Sequence, residues 1–185
     1  MDYAAEQYRR FLHGDTDAIA EIIQLHRAGL ELFLQTIVGD AQLAEELTQE
    51  TFVKIFIKKP RYKPTASFKT WLYTIGKNEA LRYLKKQKRS IPLSYEDALL
   101  IPDDAPTAEE QYFADEDRQN VHAVLGKLNP AYREILWLTY FEGLSNKECA
   151  LMLNKNVHSI ESLLSRARKS LKDQLRKDGF LYENE

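Results

Sequence analysis

GLSNKECALMLNKNVHSIESLLSRARKSL, residues 143–171, is punctuated as two helices joined by a tight turn. Ser145-Asn146-Lys147-Glu148 has the S-x-x-E spacing of a capping box, in which side chain and backbone at a helix start satisfy one another's hydrogen bonds. The helix it opens runs out near Leu153-Asn154, and Asn156 is placed to cap a last helix from Val157 to about Lys177. A short first helix, a brief turn and a longer basic second helix describe a helix-turn-helix. Upstream, Asn129-Pro130 is a strong helix start, because asparagine suits the cap and proline suits the first helical position.

That last helix is one of two basic blocks. Residues 155–177 carry Lys155, Arg166, Arg168, Lys169, Lys172, Arg176 and Lys177 against Glu161 and Asp173. Residues 68–90 carry Lys69, Lys77, Arg82, Lys85, Lys86, Lys88 and Arg89 against Glu79 alone, and aromatic residues open this block (WLYTIGKNEALRYLKKQKR, 71–89). Between the two, residues 91–117 hold Glu96, Asp97, Asp103, Asp104, Glu109, Glu110, Asp115, Glu116 and Asp117 with no base. The net charge of −2 therefore conceals two basic faces and an acidic spacer, and local potential rather than net charge governs phosphate binding. Pro92, Pro102 and Pro106 break any helix that starts in the spacer. It reads as a linker over residues 91–115, between a domain at 1–90 and a second at 116–185, and its acids can shield the basic faces in the free protein.

The first domain reads as helical throughout. Gly14-Asp15 breaks a short first helix, with Asp15 as the expected cap of the next. Ile19, Ile22, Ile23, His26, Leu30, Phe33, Leu34 and Ile37 then recur at helical spacing. Gly39-Asp40 ends that helix and starts a third, in which Leu43, Leu47, Thr51 and Ile55 form one line. Its other face groups Gln42, Glu46, Gln49 and Glu50, because residues three and four apart share a helix face. Residues 58–67 form a loop, and Phe68, Trp71, Leu72, Ile75 and Leu84 make the inner side of the fourth helix. The fold class is all-α: two small helical domains, the second containing the helix-turn-helix.

Hydrophobic residues at 44 % and charged residues at 29 % describe a globular chain rather than a disordered one. No apolar run is long enough to span a bilayer, the first residues have no apolar core of signal-peptide type, so no export is expected, and the single cysteine, Cys149, excludes an intrachain disulfide. A reducing, cytoplasmic setting is expected. His13, His26, His122 and His158 are scattered, without metal-ligand spacing, and there is no phosphate-binding glycine loop. The expectation is a protein without metal, cofactor or catalytic residue, which is not an enzyme.

DAQLAEELTQETFVKIF, then SFKTWLYTIGKNEALRYLKKQKR, then LNPAYREILWLTYFEGLSNKECALMLNKNVHSIESLLSRARKSL occur in this order. The chain resembles a bacterial sigma factor of the sigma-70 family, extracytoplasmic-function (ECF) group, over nearly its whole length outside the acidic spacer. The resemblance implies a domain 2 that binds core RNA polymerase and the promoter −10 element, and a domain 4 that reads the −35 element. It implies as partners core polymerase, through the β′ coiled coil and β flap, promoter DNA and an anti-sigma factor, which could hold the protein at the membrane; the free protein would be a monomer. The core-polymerase positions correspond to Glu46, Gln49 and Glu50. The −10 positions correspond to Lys63, Phe68, Lys69, Asn78, Arg82, Lys85 and Lys86, with the loop from Arg61 to Ser67 where a flipped base is captured. The −35 positions correspond to Ser159, Ser162, Ser165, Arg166 and Lys169. Glu79, Glu161 and Leu163 stand where the basic pattern would not place them. Stress response is the usual setting of the group.

Two other readings account for part of the sequence. A conventional helix-turn-helix regulator explains residues 128–177 equally well, but not the polar face around Gln49 or the aromatic-basic helix. A protein-binding helical module explains the helices and predicts no salt-dependent DNA affinity.

Overall fold

The computed structural model describes residues 2–90 and 123–179. The linker expected over 91–115 lies outside the described residues. Two helical domains are present, as the periodicity predicts, and the described residues contain no strand. The first domain is built from α1 (Tyr3–Leu12), α2 (Asp17–Val38), α3 (Ala41–Lys58) and α4 (Phe68–Ser90). The second holds a helical turn at 123–126, then α5 (Pro130–Leu136), a π-helical turn (Trp137–Phe141), α6 (Asn146–Leu153) and α7 (Val157–Lys177).

Local chemistry sets these boundaries. Gly39 ends α2 at φ 76°, a left-handed conformation that glycine adopts without a Cβ penalty, and Asp40 caps α3 by accepting from the Leu43 N–H at 2.6 Å. Asn129 accepts from Ala131 at 2.9 Å and Asn156 from Ser159 at 2.7 Å. The Ser145–Glu148 capping box is complete. At the start of α2 the expectation needs correction, since the cap position is Thr16. Asp15, one residue earlier, takes the Arg10 guanidinium at 2.6 and 3.0 Å and also meets the Asp17 and Ala18 backbone N–H groups at the start of the helix; the Arg10 hydrogen bond and charge, with these N–H groups, hold its carboxyl below the usual range.

The core of the first domain lies between α2, α3 and α4. Ile22, Leu30, Phe33, Leu34, Ile55, Phe68 and Leu72 have essentially no exposed surface. Burying an aliphatic or aromatic side chain of this size is worth about 1.5–3 kcal/mol. Thr48 and Thr51 share the buried side of α3 because their hydroxyls donate back to the Ala44 and Leu47 carbonyls at 2.8 and 2.7 Å. At one end an aromatic cluster joins three segments: Tyr8 of α1, Tyr62 of the loop, and Phe68 and Trp71 of α4, with ring centroids 5.1–5.4 Å apart. In the second domain α7 packs on α5 and α6 through Ile160, Leu163, Leu164 and Ala167.

Asp2 ties the first domain together at this end. One carboxylate oxygen accepts from the Ala5 N–H at 3.2 Å and so caps α1. The other accepts from the Phe68 N–H at 2.6 Å, at the start of α4. Asp2→Ala should therefore remove two helix-start contacts at once. The expected loss is about 1–2 kcal/mol of unfolding free energy, read from urea midpoints, with Asp2→Asn retaining part of it.

Candidate functional site

The outward face of α3 is assembled as its spacing predicts. Glu46, Gln49 and Glu50 are exposed and line one open groove between α3 and α4. The groove has an apolar component that the sequence reading missed: Val53 and Ile57, 54 % and 69 % exposed. These two residues continue the polar row by helical spacing, and that continuity was the available signal. Glu45 supports the row from behind, accepting from Gln49 at 3.2 Å and from Arg27 of α2 at 2.9 Å.

Across the groove stand Glu79 and Arg82 of α4. Glu79, the one acid in the basic helix, is here accounted for. Its carboxylate pairs with Lys54 of α3 and accepts from Arg82 at 2.7 Å, and only 11 % of its side chain is exposed. Glu79 thus braces the acidic helix against the basic one and orients Arg82. A carboxylate so enclosed needs both cations, because an unpaired buried charge is costly.

The residues expected at the −10 element fall into three groups. Lys63, Asn78, Arg82, Lys85 and Lys86 lie on exposed surface. Phe68 does not: it is fully buried in the aromatic cluster and presents no ring to a base, which corrects its place among the DNA contacts. Apolar burial has taken the ring because it begins the inner stripe of α4. Lys69 is engaged by the second domain, where Glu142 takes its ammonium at 2.7 Å through the carboxylate and at 2.9 Å through the backbone carbonyl.

On α7, Ser159, Ser162, Ser165, Arg166 and Lys169 form one face, with Ser165, Arg166 and Lys169 exposed and the other two half-buried. Glu161 is exposed beside His158, 3.9 Å from its Nδ1. Leu163 is buried against α5 and α6, so its apolar character serves the core and not a base. Arg166 and Lys169 also border a shallow polar groove with Tyr132, Asp173 and Lys177.

The two domains meet along α2 and α4. Lys77 pairs with Glu134 of α5 at 2.8 Å. Glu142 accepts from Tyr73 at 2.9 Å and from the Trp137 indole at 3.1 Å in addition to Lys69. Burial first, then the Glu142 charge and hydrogen bond, keep the Tyr73 phenol protonated far above its ordinary range. Glu148 divides its carboxylate: one oxygen completes the α6 capping box, and the other accepts from Ser67 at 2.7 Å and Thr70 at 3.0 Å.

Residues 22–90 match Sigma-70 region 2, and residues 118–171 match Sigma-70, region 4. The ECF RNA polymerase sigma factor SigM of Bacillus subtilis (strain 168) is 30% identical over 154 residues, which cover 83% of this chain and 93% of that protein. The chain belongs to the sigma-70 family, in its ECF group. SigW of the same organism is 28% identical over 174 residues, 88% of this sigma factor and 91% of the relative. Among solved structures, the sigma factor RpoE of Bartonella quintana, crystallised with the anti-sigma factor NepR, superposes with a TM-score of 0.69 at 26% identity, over 85% of this chain and 96% of that one. CnrH, in complex with the cytosolic domain of CnrY, shares the fold at a TM-score of 0.65 and 22% identity, over 95% and 96% of the two chains.

The Glu148 carboxylate has a pH signature. Burial raises its pKa, but the hydrogen bonds from Ser67, from the Ser145 backbone and hydroxyl, and from Thr70 outweigh burial and bring it from 4.5 to about 2. A carboxyl depressed on folding stabilises the folded state above its unfolded pKa and loses that contribution as pH falls through the folded value. Stability of the wild type should fall between pH 4.5 and about 2, and Glu148→Gln should flatten that part of a urea-midpoint-against-pH curve.

Proposed function

We propose that this sigma factor docks on core RNA polymerase through the α3 face and holds the melted −10 strand along α4 while α7 reads the −35 element. Residues 1–90 would act as domain 2, 91–115 as the linker and 116–185 as domain 4. One observation carries the reading: Glu46, Gln49 and Glu50 form an exposed acid-amide row on the same pair of helices that presents the basic surface of Asn78, Arg82, Lys85 and Lys86. The acidic row suits a basic protein partner, and the basic row suits phosphates. A two-helix platform with opposite chemistries on neighbouring faces can hold a protein and a nucleic acid together.

The individual roles follow from chemistry. Cations along α4 can follow the phosphates of a single strand, and Asn78 can hydrogen-bond a base edge. On α7 the Arg166 guanidinium can read guanine O6 and N7, and the serines can serve bases or phosphates. The polymerase supplies the catalysis and this chain supplies recognition. One structural relative, RpoE of Bartonella quintana, was captured with the anti-sigma factor NepR. An anti-sigma factor is the matching regulator for this chain. A free-standing helix-turn-helix regulator leaves the match of residues 22–90 to Sigma-70 region 2 without an explanation.

The test is a gel shift with bacterial core RNA polymerase. The wild type should bind, and a Glu46/Gln49/Glu50 triple alanine variant should lose about 2–5 kcal/mol of affinity, the cost of truncating buried interfacial charge pairs, with helicity unchanged by circular dichroism. A folded wild type that does not bind core polymerase overturns the reading. On the DNA side, Arg166→Ala holoenzyme should relax specificity at one base pair, worth about 1–3 kcal/mol, in a binding-site selection. A uniform loss on all sequences would make Arg166 a phosphate contact.

A further inference from the structure

We propose that Tyr8 and Tyr62 are positioning residues for base selection at the −10 element: their hydroxyls pin the two ends of the loop between α3 and α4 and so fix the walls of the site that takes the flipped base. The inference rests on the reading of Arg61 to Ser67 as the base-capturing loop of a sigma factor bound to core polymerase.

No helix or strand orders residues 59–67, and Lys63, Pro64 and Thr65 at the tip are exposed. Untied, such a segment would sample many conformations, and a base would have to order it on binding. It is instead tied at both ends. Tyr8 of α1 donates its hydroxyl to the Pro60 carbonyl at 2.6 Å. Tyr62 donates to the Ala66 carbonyl at 2.7 Å and so bridges the tip from one side to the other. Within the tip the Thr65 N–H donates to the Lys63 carbonyl at 2.8 Å, which closes a γ-turn around Pro64. At the entrance Lys59 holds a left-handed conformation at φ 43°, uncommon for a residue with a Cβ, and its ammonium lies 4.9 Å from the centre of the Phe11 ring.

The two hydroxyls serve the loop and not the core. The rings have their own place in the aromatic cluster: Tyr8 lies 5.3 and 5.2 Å from Phe68 and Trp71, and Tyr62 meets the same two rings edge-on at 5.4 Å. Phenylalanine would supply the same ring contacts, and the oxygen of each tyrosine is spent on a loop carbonyl. Burial pushes the Tyr8 phenol up to about 12, so it stays a donor throughout the neutral range. Burial and the Asp2 charge shift Tyr62 in the same direction. Phe68 and Trp71 belong to α4, so the clamps reference the loop to the helix that carries Asn78 and Arg82. A site that tells one base from another has to be held to within about 0.5 Å, and side chains locked by packing are what hold it. Tyr8 precedes residues 22–90, the stretch that matches Sigma-70 region 2, so α1 contributes to base selection from outside that match.

The test uses holoenzyme assembled from the full chain and bacterial core RNA polymerase. The probe is a promoter-fork DNA library, duplex upstream and single-stranded over the −10 element, randomised at both the −35 and −10 elements. The wild type should select a base at one or more −10 positions. Tyr8→Phe and Tyr62→Phe keep both rings, and the double variant should lose about tenfold of the preference at one of those positions, within the range that one base contact contributes. The sequence selected at −35, the affinity for core polymerase and the helicity should stay at wild-type values, and each single variant should show part of the loss. Pro64→Gly loosens the tip without touching the cluster; it should lower preference at the same position, and adding the tyrosine substitutions should then cost little more, because all three act through one loop. Full preference retained in the folded variants, an equal loss at both elements, or full additivity with Pro64→Gly overturns the proposal. A wild type that binds core but selects no −10 base removes the reading of the loop and the proposal with it, whereas one that does not bind core removes the polymerase docking itself.

Discussion

The carboxylate of Glu142 has to be satisfied from both domains at once. It is almost wholly enclosed, and its donors are Lys69 and Tyr73 from one domain and Trp137 from the other. An enclosed carboxylate without these donors would carry an uncompensated desolvation penalty. The domains therefore pack with α4 against α6 and α2 against α5 and the π-helical turn, and the positions of Glu134 and Glu148 along α4 are set by that seating.

α4 is the element on which everything else converges. Its inner stripe completes the aromatic cluster and the core of the first domain. Its start is held by Asp2 and Ser67, its middle is braced to α3 through Glu79 and Lys54, and one flank meets the second domain. A helix so constrained on several sides behaves as a rigid platform. That rigidity suits a surface proposed to hold a flexible single strand, because the helix then loses little freedom on binding.

Much of this is legible in residue type and spacing. The capping box at Ser145, the caps at Asp40, Asn129 and Asn156, the helix-turn-helix and the buried stripes of α2 and α3 all appear where those two properties put them. The acid-amide row of α3 is visible for the same reason. Phe68 fits both the inner stripe and a DNA contact by position, and burial decides for the stripe. Glu79 and Leu163 look out of place in basic helices because their partners, Lys54 on α3 and the core between α5 and α6, do not show in the helix that carries them.

The sequence by itself determined the helices, their ends and the faces each one buries, since caps and periodic burial act over a few residues and do not depend on the rest of the chain. Only the tertiary structure decided which charged side chains are spoken for. Lys69 and Glu142 are 73 residues apart and Lys54 and Glu79 are 25 apart, and no local pattern couples them. A lysine on a basic helix looks the same in sequence whether it faces solvent, a phosphate or a carboxylate. The difference is made by packing, which brings an opposite charge within 3 Å and removes the water that would otherwise weaken the attraction.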